Sequence, residues 1–310
     1  MRSSVDTALI MASGLGTRNL PIGKAVTKEM SEVLGRPVID YILEYLAAAG
    51  IKKVLLRIGA DDERGFNLQQ AMLEKWFNPD HALAAYVRTN GKDDLLKYSG
   101  TNSKGLEITI SPRIDYEHYG TAASVFSARE ILRGMKPVNG QVLVVNGDDF
   151  MWRTDGGSSL AEMIDGMNKT GAEGALLTHR VDKLTSGTYA YGMILSDQLS
   201  KLAEIKEKPS AQELGDVPPL CNVGKYVLPF KLLDTALEKY MKLSESERGQ
   251  SEYYLTDVLT WAANSGISMY VHVDEKSKFI DAGSPKARIL ASLTVAGIPD
   301  QVVETVAASL

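Results

Sequence analysis

The stretch Thr7-Ala8-Leu9-Ile10-Met11, running into Ala12-Ser13-Gly14-Leu15-Gly16-Thr17-Arg18, decides how the rest of the chain is read. A short apolar run bounded by Ser13-Gly14 predicts a strand buried on both faces, which shows no polar alternation. Outward from it, a helix is expected from about Pro37, with Ile39, Ile42, Leu43 and Leu46 on one face and Gly50 as the stop. Ile51 to Ile58 reads as the next strand, Leu106 to Ile110 as another, and Thr121 to Leu132 as a helix. Gln141 to Val145 is a β-prone run ending in Asn146-Gly147-Asp148-Asp149. This alternation predicts an α/β fold: a Rossmann-like, mostly parallel but mixed sheet with helices on both faces.

The second half is more mixed. Gly174 to Thr178, Tyr191 to Leu195, Val223 to Leu228 and Ser268 to Val273 read as strands without full helices between them, and Pro285 to Ala296 as a closing helix. Lys92 to Lys104 and Pro209 to Pro219 read as loops, and nothing has the length of an interdomain linker. The expectation is one domain over 1–310. Within it, about 1–150 and about 151–284 read as two subregions, and 285–310 as a helical tail.

Hydrophobic residues make up 44% and charged residues 24%, enough for a large core and against disorder. Net charge is −5, with 34 basic and 39 acidic residues, which argues against a nucleic-acid partner. The single cysteine, Cys221, supplies neither an intrachain disulfide nor a zinc cluster and reads as a packed thiol. No apolar stretch is long enough for a signal-peptide core or a membrane span, so the expected location is cytoplasmic.

Glycines at 14 and 16 let the backbone approach a ligand and expose N–H groups to phosphate oxygens at a strand's carboxyl end, where α/β sheets bind ligands. Arg18 can grip phosphate bidentately, while Lys28 would act as a mobile point charge. A Walker A loop ending at Gly23-Lys24 is excluded by Arg18 and Ala25. A dinucleotide fingerprint from Gly14 is excluded by Asn19, and Pro21 delays any helix. The four histidines (His81, His118, His179, His272) lie outside these motifs. Asp148 follows one predicted strand, and Asp281, in Phe279-Ile280-Asp281-Ala282-Gly283, follows another. Two such carboxylates suit a Mg²⁺ that completes its shell with waters and phosphates, but aspartate is also common in turns and N-caps. Spacing alone leaves both readings open.

The block SGLGTR–x2–P–x2–KAVTKEM, followed by RPVIDYILEYLAAAGI, resembles the opening of the bacterial UDP-glucose pyrophosphorylases and, more broadly, of the sugar-1-phosphate nucleotidyltransferases. The resemblance implies the nucleotide-diphospho-sugar transferase fold and a Mg²⁺-dependent reaction of a nucleoside triphosphate with a sugar 1-phosphate, releasing pyrophosphate. UTP with glucose 1-phosphate is the first expectation. It assigns nucleotide contacts to Ala12, Ser13, Gly14, Gly16, Thr17 and Gly120, catalytic roles to Arg18 and Lys28, and metal ligation to Asp148 and Asp281 rather than Asp149.

Ala190-Tyr191-Gly192-Met193-Ile194 and Glu207-Lys208-Pro209 resemble the family's sugar motifs, implying sugar-phosphate contacts from Gly192, Glu207 and Lys208. Cys221-Asn222-Val223-Gly224-Lys225-Tyr226-Val227 resembles its VGRY strand, with lysine for arginine. Glu252 to Asp257 resembles its E-x2-LTD helix start, where Thr256 and Asp257 are able to cap. A homodimer or homotetramer is also implied.

Two departures reopen the substrates. The position expected to carry a base-reading glutamine is Asp115, and NGDD stands where PDV is usual. A carboxylate accepts but does not donate, which leaves CTP or dTTP, another sugar phosphate, or a phosphocholine- or phosphonate-type acceptor open. A catalytically silent nucleotide-binding regulatory protein is the alternative of another class. Because a phosphate monoester is largely ionised at neutral pH, with a second pKa of about 6, the reaction needs no general base.

Overall fold

A computed structural model of the chain describes residues 4–62, 65–78, 89–91, 105–113, 118–180, 192–195, 201–207, 209–210 and 220–310. Thirteen strands are formed among them. In chain order, the first seven are β1 Thr7–Ala12, β2 Glu32–Val33, β3 Arg36–Pro37, β4 Lys53–Ile58, β5 Glu107–Pro112, β6 Gln141–Asn146 and β7 Asp149–Trp152. The rest are β8 Gly174–Arg180, β9 Gly192–Leu195, β10 Glu204–Glu207, β11 Leu220–Pro229, β12 Met269–Asp274 and β13 Lys278–Asp281. The main helices are α1 Val38–Ala48, α2 Leu68–Phe77, α3 Thr121–Gly134, α4 Ser159–Thr170, α5 Leu255–Asn264, α6 Pro285–Val295 and α7 Asp300–Ser309.

The main sheet has nine strands along the path β10-β9-β11-β6-β1-β4-β5, with β8 beside β11 and β12 beside β8. β1 lies parallel between β4 and β6, and β4 pairs parallel with β5. β11 then runs antiparallel to β6, β8 and β9. The expected mostly parallel, mixed sheet is therefore present. Its larger parallel part comes from the first half, where helices carry the chain back between strands, and a further parallel pair, β8 with β12, from the second.

The reason β1 shows no alternation is visible in its neighbours. Ala8, Ile10 and Ala12 enter one apolar core with Ile39, Ile42 and Leu46 of α1, while Leu9 and Met11 enter a second with Ala122, Val125 and Leu132 of α3. Side chains alternate across a strand, so helices on both faces require apolar residues at every position.

Several elements go beyond the expected string, α2 among them. α4 is amphipathic, burying Leu160, Met163, Ile164 and Met167, with Ser158 capping the Ala161 N–H and Gly171 ending it in the left-handed region. The expected closing helix is α6, and the tail adds a second, α7, after Pro299. β7 and β13 form a separate antiparallel pair in which Asp281 is opposite Asp149. These strands are four residues each, too short for their pattern to stand out in sequence.

Candidate active site

The site begins where β1 and β6 end. The Gly147 N–H donates to Met11 O at 3.0 Å, and the hydroxyls of Ser13 and Ser124 meet at 2.7 Å, tying the glycine-rich loop to α3. From Thr17 the chain folds through three single-turn 3₁₀ helices, Thr17–Asn19, Ile22–Lys24 and Lys28–Met30. Asn19, the residue that rules out a dinucleotide fingerprint, is buried and anchors this excursion. Its amide donates to Val26 O at 3.3 Å and accepts from Arg288 of α6 at 2.7 Å.

The excursion returns Lys28 to the loop, so close that a Cβ on Gly14 would lie 3.3 Å from Lys28 Nζ. Lys28 is an ion-pair partner of Asp148 at 2.9 Å. Burial would lower the Lys28 pKa, but the carboxylates of Asp148 and Glu29 outweigh it and raise the pKa, so this ammonium stays charged. Burial also pushes Asp148 up, and Lys28 and Arg18 overcome it, holding the carboxyl below its ordinary value. Beside them, the buried Glu29 is pushed up to about 7 by burial, against the pull of Lys28.

The two acids expected to act together do converge. The β7–β13 register brings Asp281 opposite Asp149, and the Ala282 N–H donates to Asp148 O at 2.9 Å. Gly283 measures the crowding. A Cβ there would lie 3.0 Å from Asp281 Oδ1, 3.2 Å from Asp148 Oδ2 and 2.9 Å from the Arg18 guanidinium. Arg18 also lies 3.8 Å from Asp281, with its side chain 65% exposed and thus open to a ligand. Asp149 points elsewhere. It is buried, accepting from Asn146 at 2.8 Å through Oδ2 and from Lys225 through Oδ1.

Among the described residues no three carboxylate, histidine or cysteine side chains form a metal cage. The site does fit Mg²⁺ on its donor chemistry: two oxygen ligands crowd one point, and a substrate triphosphate would supply the remainder. The Lys28 ammonium against Asp148 marks the place as one that favours a cation.

A cavity of about 230 Å³ is walled by Ser13, Gly14, Lys28, Asp148, Gly120 and Arg113. Gly120 opens α3 with its backbone packed on Tyr253, where any side chain would collide. Ala12 closes β1 fully buried, and Gly16 and Thr17 begin the first 3₁₀ turn. Asp115 and Lys208 lie outside the described residues, and with them those parts of the base and sugar readings. Gly192 and Glu207 are register partners on β9 and β10, reached from β6 through β11. Glu207 accepts from Thr256 Oγ1 at 2.7 Å.

That bond corrects the expected capping role of Thr256 and Asp257. The N-cap of α5 is Tyr254, the Leu255 N–H donates to Thr121 Oγ1 at 2.9 Å, and Asp257 instead accepts from Tyr240 and Gln250. Both side chains project from the first turn into neighbouring elements, which removes them from the N-cap position. Cys221 is buried as expected, its thiol pushed up to about 12 by burial and Glu207. Two functional candidates escaped sequence reasoning. Arg113, at the end of β5, is 5% exposed and donates to His118 O. Lys225 is 1% exposed, and a lysine inside the apolar run of β11 was the available signal. Burial draws its pKa down to about 7 against the pull of Asp148 and Asp281, so its placement there is costly unless it serves its partners.

A glycine-rich loop, a lysine and an arginine facing two carboxylates, one after parallel β6 and one ending antiparallel β13, are the parts of a phosphate-handling α/β enzyme. The chain belongs to the nucleotidyl transferase family, whose sequence profile matches residues 7–296. UTP–glucose-1-phosphate uridylyltransferase 2 of Staphylococcus saprophyticus is 29% identical over 262 residues, covering 82% of this chain and 80% of the relative. The Staphylococcus epidermidis enzyme of the same name is 27% identical over 281 residues, covering 89% of this chain and 87% of its own. The fold matches a UTP-bound UGPase from Acinetobacter baumannii with a TM-score of 0.74 at 22% identity, over 94% of this chain and 93% of that one. A UDP-glucose pyrophosphorylase complexed with UDP-glucose matches with a TM-score of 0.73 at 22% identity, over 95% and 100%. Among the described residues no helix is long and apolar enough to cross a membrane.

Proposed function

We propose that this nucleotidyltransferase joins a nucleoside triphosphate, UTP first, to a sugar 1-phosphate, glucose 1-phosphate first, giving a nucleoside diphosphate sugar and pyrophosphate. The carrying observation is the convergence of Asp148, Asp281 and Arg18 on the point marked by Gly283, with Lys28 against Asp148. The relatives' names supply the substrates to try first.

A phosphate oxygen of the sugar phosphate attacks the α-phosphorus in line and pyrophosphate leaves. The nucleophile is already largely ionised at neutral pH, with a second pKa of about 6, so no residue needs to remove a proton. Positioning and charge carry the catalysis. Lys28 exchanges Asp148 for the phosphates, Arg18 turns its exposed guanidinium to them, and the loop N–H groups bind their oxygens. Mg²⁺, held by Asp148 and Asp281, would neutralise phosphate charge. A cytoplasmic homo-oligomer goes with this reading by family analogy.

A second reading is favoured by Arg113. A guanidinium only donates, and cytosine offers adjacent acceptors at O2 and N3 where uracil interposes an N–H. One assay separates the two: pyrophosphate release from UTP, CTP and dTTP with a panel of phosphorylated sugars and alcohols, with and without Mg²⁺. Release from UTP and glucose 1-phosphate supports the first reading, and release from CTP alone the second. No release from any pair would refute both and point to a silent nucleotide-binding protein.

A further inference from the structure

Lys225 is a buried cation that the reaction above does not use. A buried ammonium persists only when it is paired and hydrogen-bonded, and β11 is bent to provide this. The pairing of β11 with β8 shifts register between Asn222 and Tyr226, with Gly224 in the left-handed region at φ 67°. Any side chain at 224 would collide with the Asn146 amide. Such bulges commonly re-aim a side chain beside a functional site.

Here the bulge aims Lys225 at the turn after β6. Its Nζ donates to Val223 O at 2.8 Å and to Asp149, through Oδ1 and, at 3.5 Å, the backbone carbonyl. With Asn146 on Oδ2, both oxygens of Asp149 are taken.

We propose that Lys225 is a positioning residue for the metal site: by pinning Asp149 it fixes the 146–149 turn and the Asp149–Asp281 pairing, so that Asp148 and Asp281 face the ion together. The proposal rests on the metal-assisted reading given above. Three carboxylates meet in this small region, and a Mg²⁺ shared with a triphosphate usually takes one or two. Lys28 and Arg18 are drawn toward the phosphates once substrate arrives. Lys225 stays, buried beside the Phe279 ring, 5.6 Å from its centroid, and bonded to its own strand. Asp149 therefore remains held by its hydrogen bonds through the reaction, and its neighbour alone in the NGDD turn is left for the ion.

The test uses the full chain saturated with α,β-methylene UTP and titrated with Mn²⁺, bound ion being read by electron paramagnetic resonance. Lys225→Met alone strands a buried carboxylate and unfolds readily, so the informative variant is Asp149→Asn/Lys225→Met, which leaves no buried charge unpaired. It should melt near the native temperature yet bind Mn²⁺ at least about tenfold more weakly, the scale of losing a residue behind a metal ligand, while Lys225→Arg stays within about threefold. Turnover should fall with Mn²⁺ affinity, with KM for the sugar phosphate little changed. A folded double variant with native Mn²⁺ affinity would overturn the proposal while leaving the metal site intact. Native affinity in Asp148→Asn would refute the site itself, and the proposal with it.

Discussion

The parallel part of the sheet (β5, β4, β1, β6) and the antiparallel part (β11, β8, β9, β10) contribute to the site in different ways. The parallel part delivers side chains by chain order. The glycine-rich loop follows β1 and Asp148 follows β6, each at a carboxyl end, where any strand–helix unit of this kind opens a crevice. The antiparallel part delivers by register. Lys225 reaches Asp149 through a bulge in β11, and Glu207 meets Gly192 across β9 and β10. The separate β7–β13 pair works in the same way, setting Asp281 opposite Asp149. Arg18, Lys28 and Asp148 are thus supplied by sequence-local motifs, and Asp281, Glu207 and the Lys225–Asp149 contact by long-range pairing.

Removing charge from the parallel part should have the largest effect. Lys28→Ala should lower kcat by about 10³-fold with a normal far-ultraviolet spectrum, as expected for loss of a group that stabilises transferring phosphate. Near-native turnover would remove Lys28 from the chemistry. Asp281→Asn, which strikes the register-delivered acid, should lower kcat/KM by roughly 10²-fold and raise the Mg²⁺ requirement. Combined with Asp148→Asn, the losses should fall well short of multiplying, because the two acids serve one ion. Fully multiplicative losses would separate the two parts of the site.

Glu29 sharpens the contrast from the parallel side. Its folded pKa of about 7 lies above its ordinary 4.5. The folded protein therefore holds the proton more tightly, and this stability is full below about 4.5 and lost as pH rises through about 7. Glu29→Gln should flatten that slope and stabilise the protein at pH 8 by on the order of 2 kcal/mol. Urea midpoints from pH 5 to 8 check this, and an unchanged slope would contradict it.

The smallest effect should come from the antiparallel wing. Thr256→Val frees Glu207 from its 2.7 Å anchor and should raise KM for the sugar phosphate by about fivefold with kcat nearly unchanged. A change in KM for the triphosphate instead would move Glu207 out of the sugar's side.

Legibility followed the same division. Arg18, Lys28 and Asp148 stand in motifs whose meaning depends only on a strand ending beside them, and the structure brings them together with Asp281. α4 carried a readable cap and apolar stripe. β7 and β13 did not, being four residues each and defined only by their partner. Arg113 and Lys225 were missed because a charged residue in or beside an apolar strand reads as exposed until burial is known.

The sequence by itself determined the alternating α/β order, the glycine-rich loop and the charged residues beside it, because period, glycine placement and strand ends are local properties. Only the tertiary structure decided that Asp281 meets Asp148, that Asp149 is locked away, and that Lys225 does the locking. Those outcomes depend on strand register and one bulge, and pairing between segments far apart in the chain is fixed by the packing of the whole sheet.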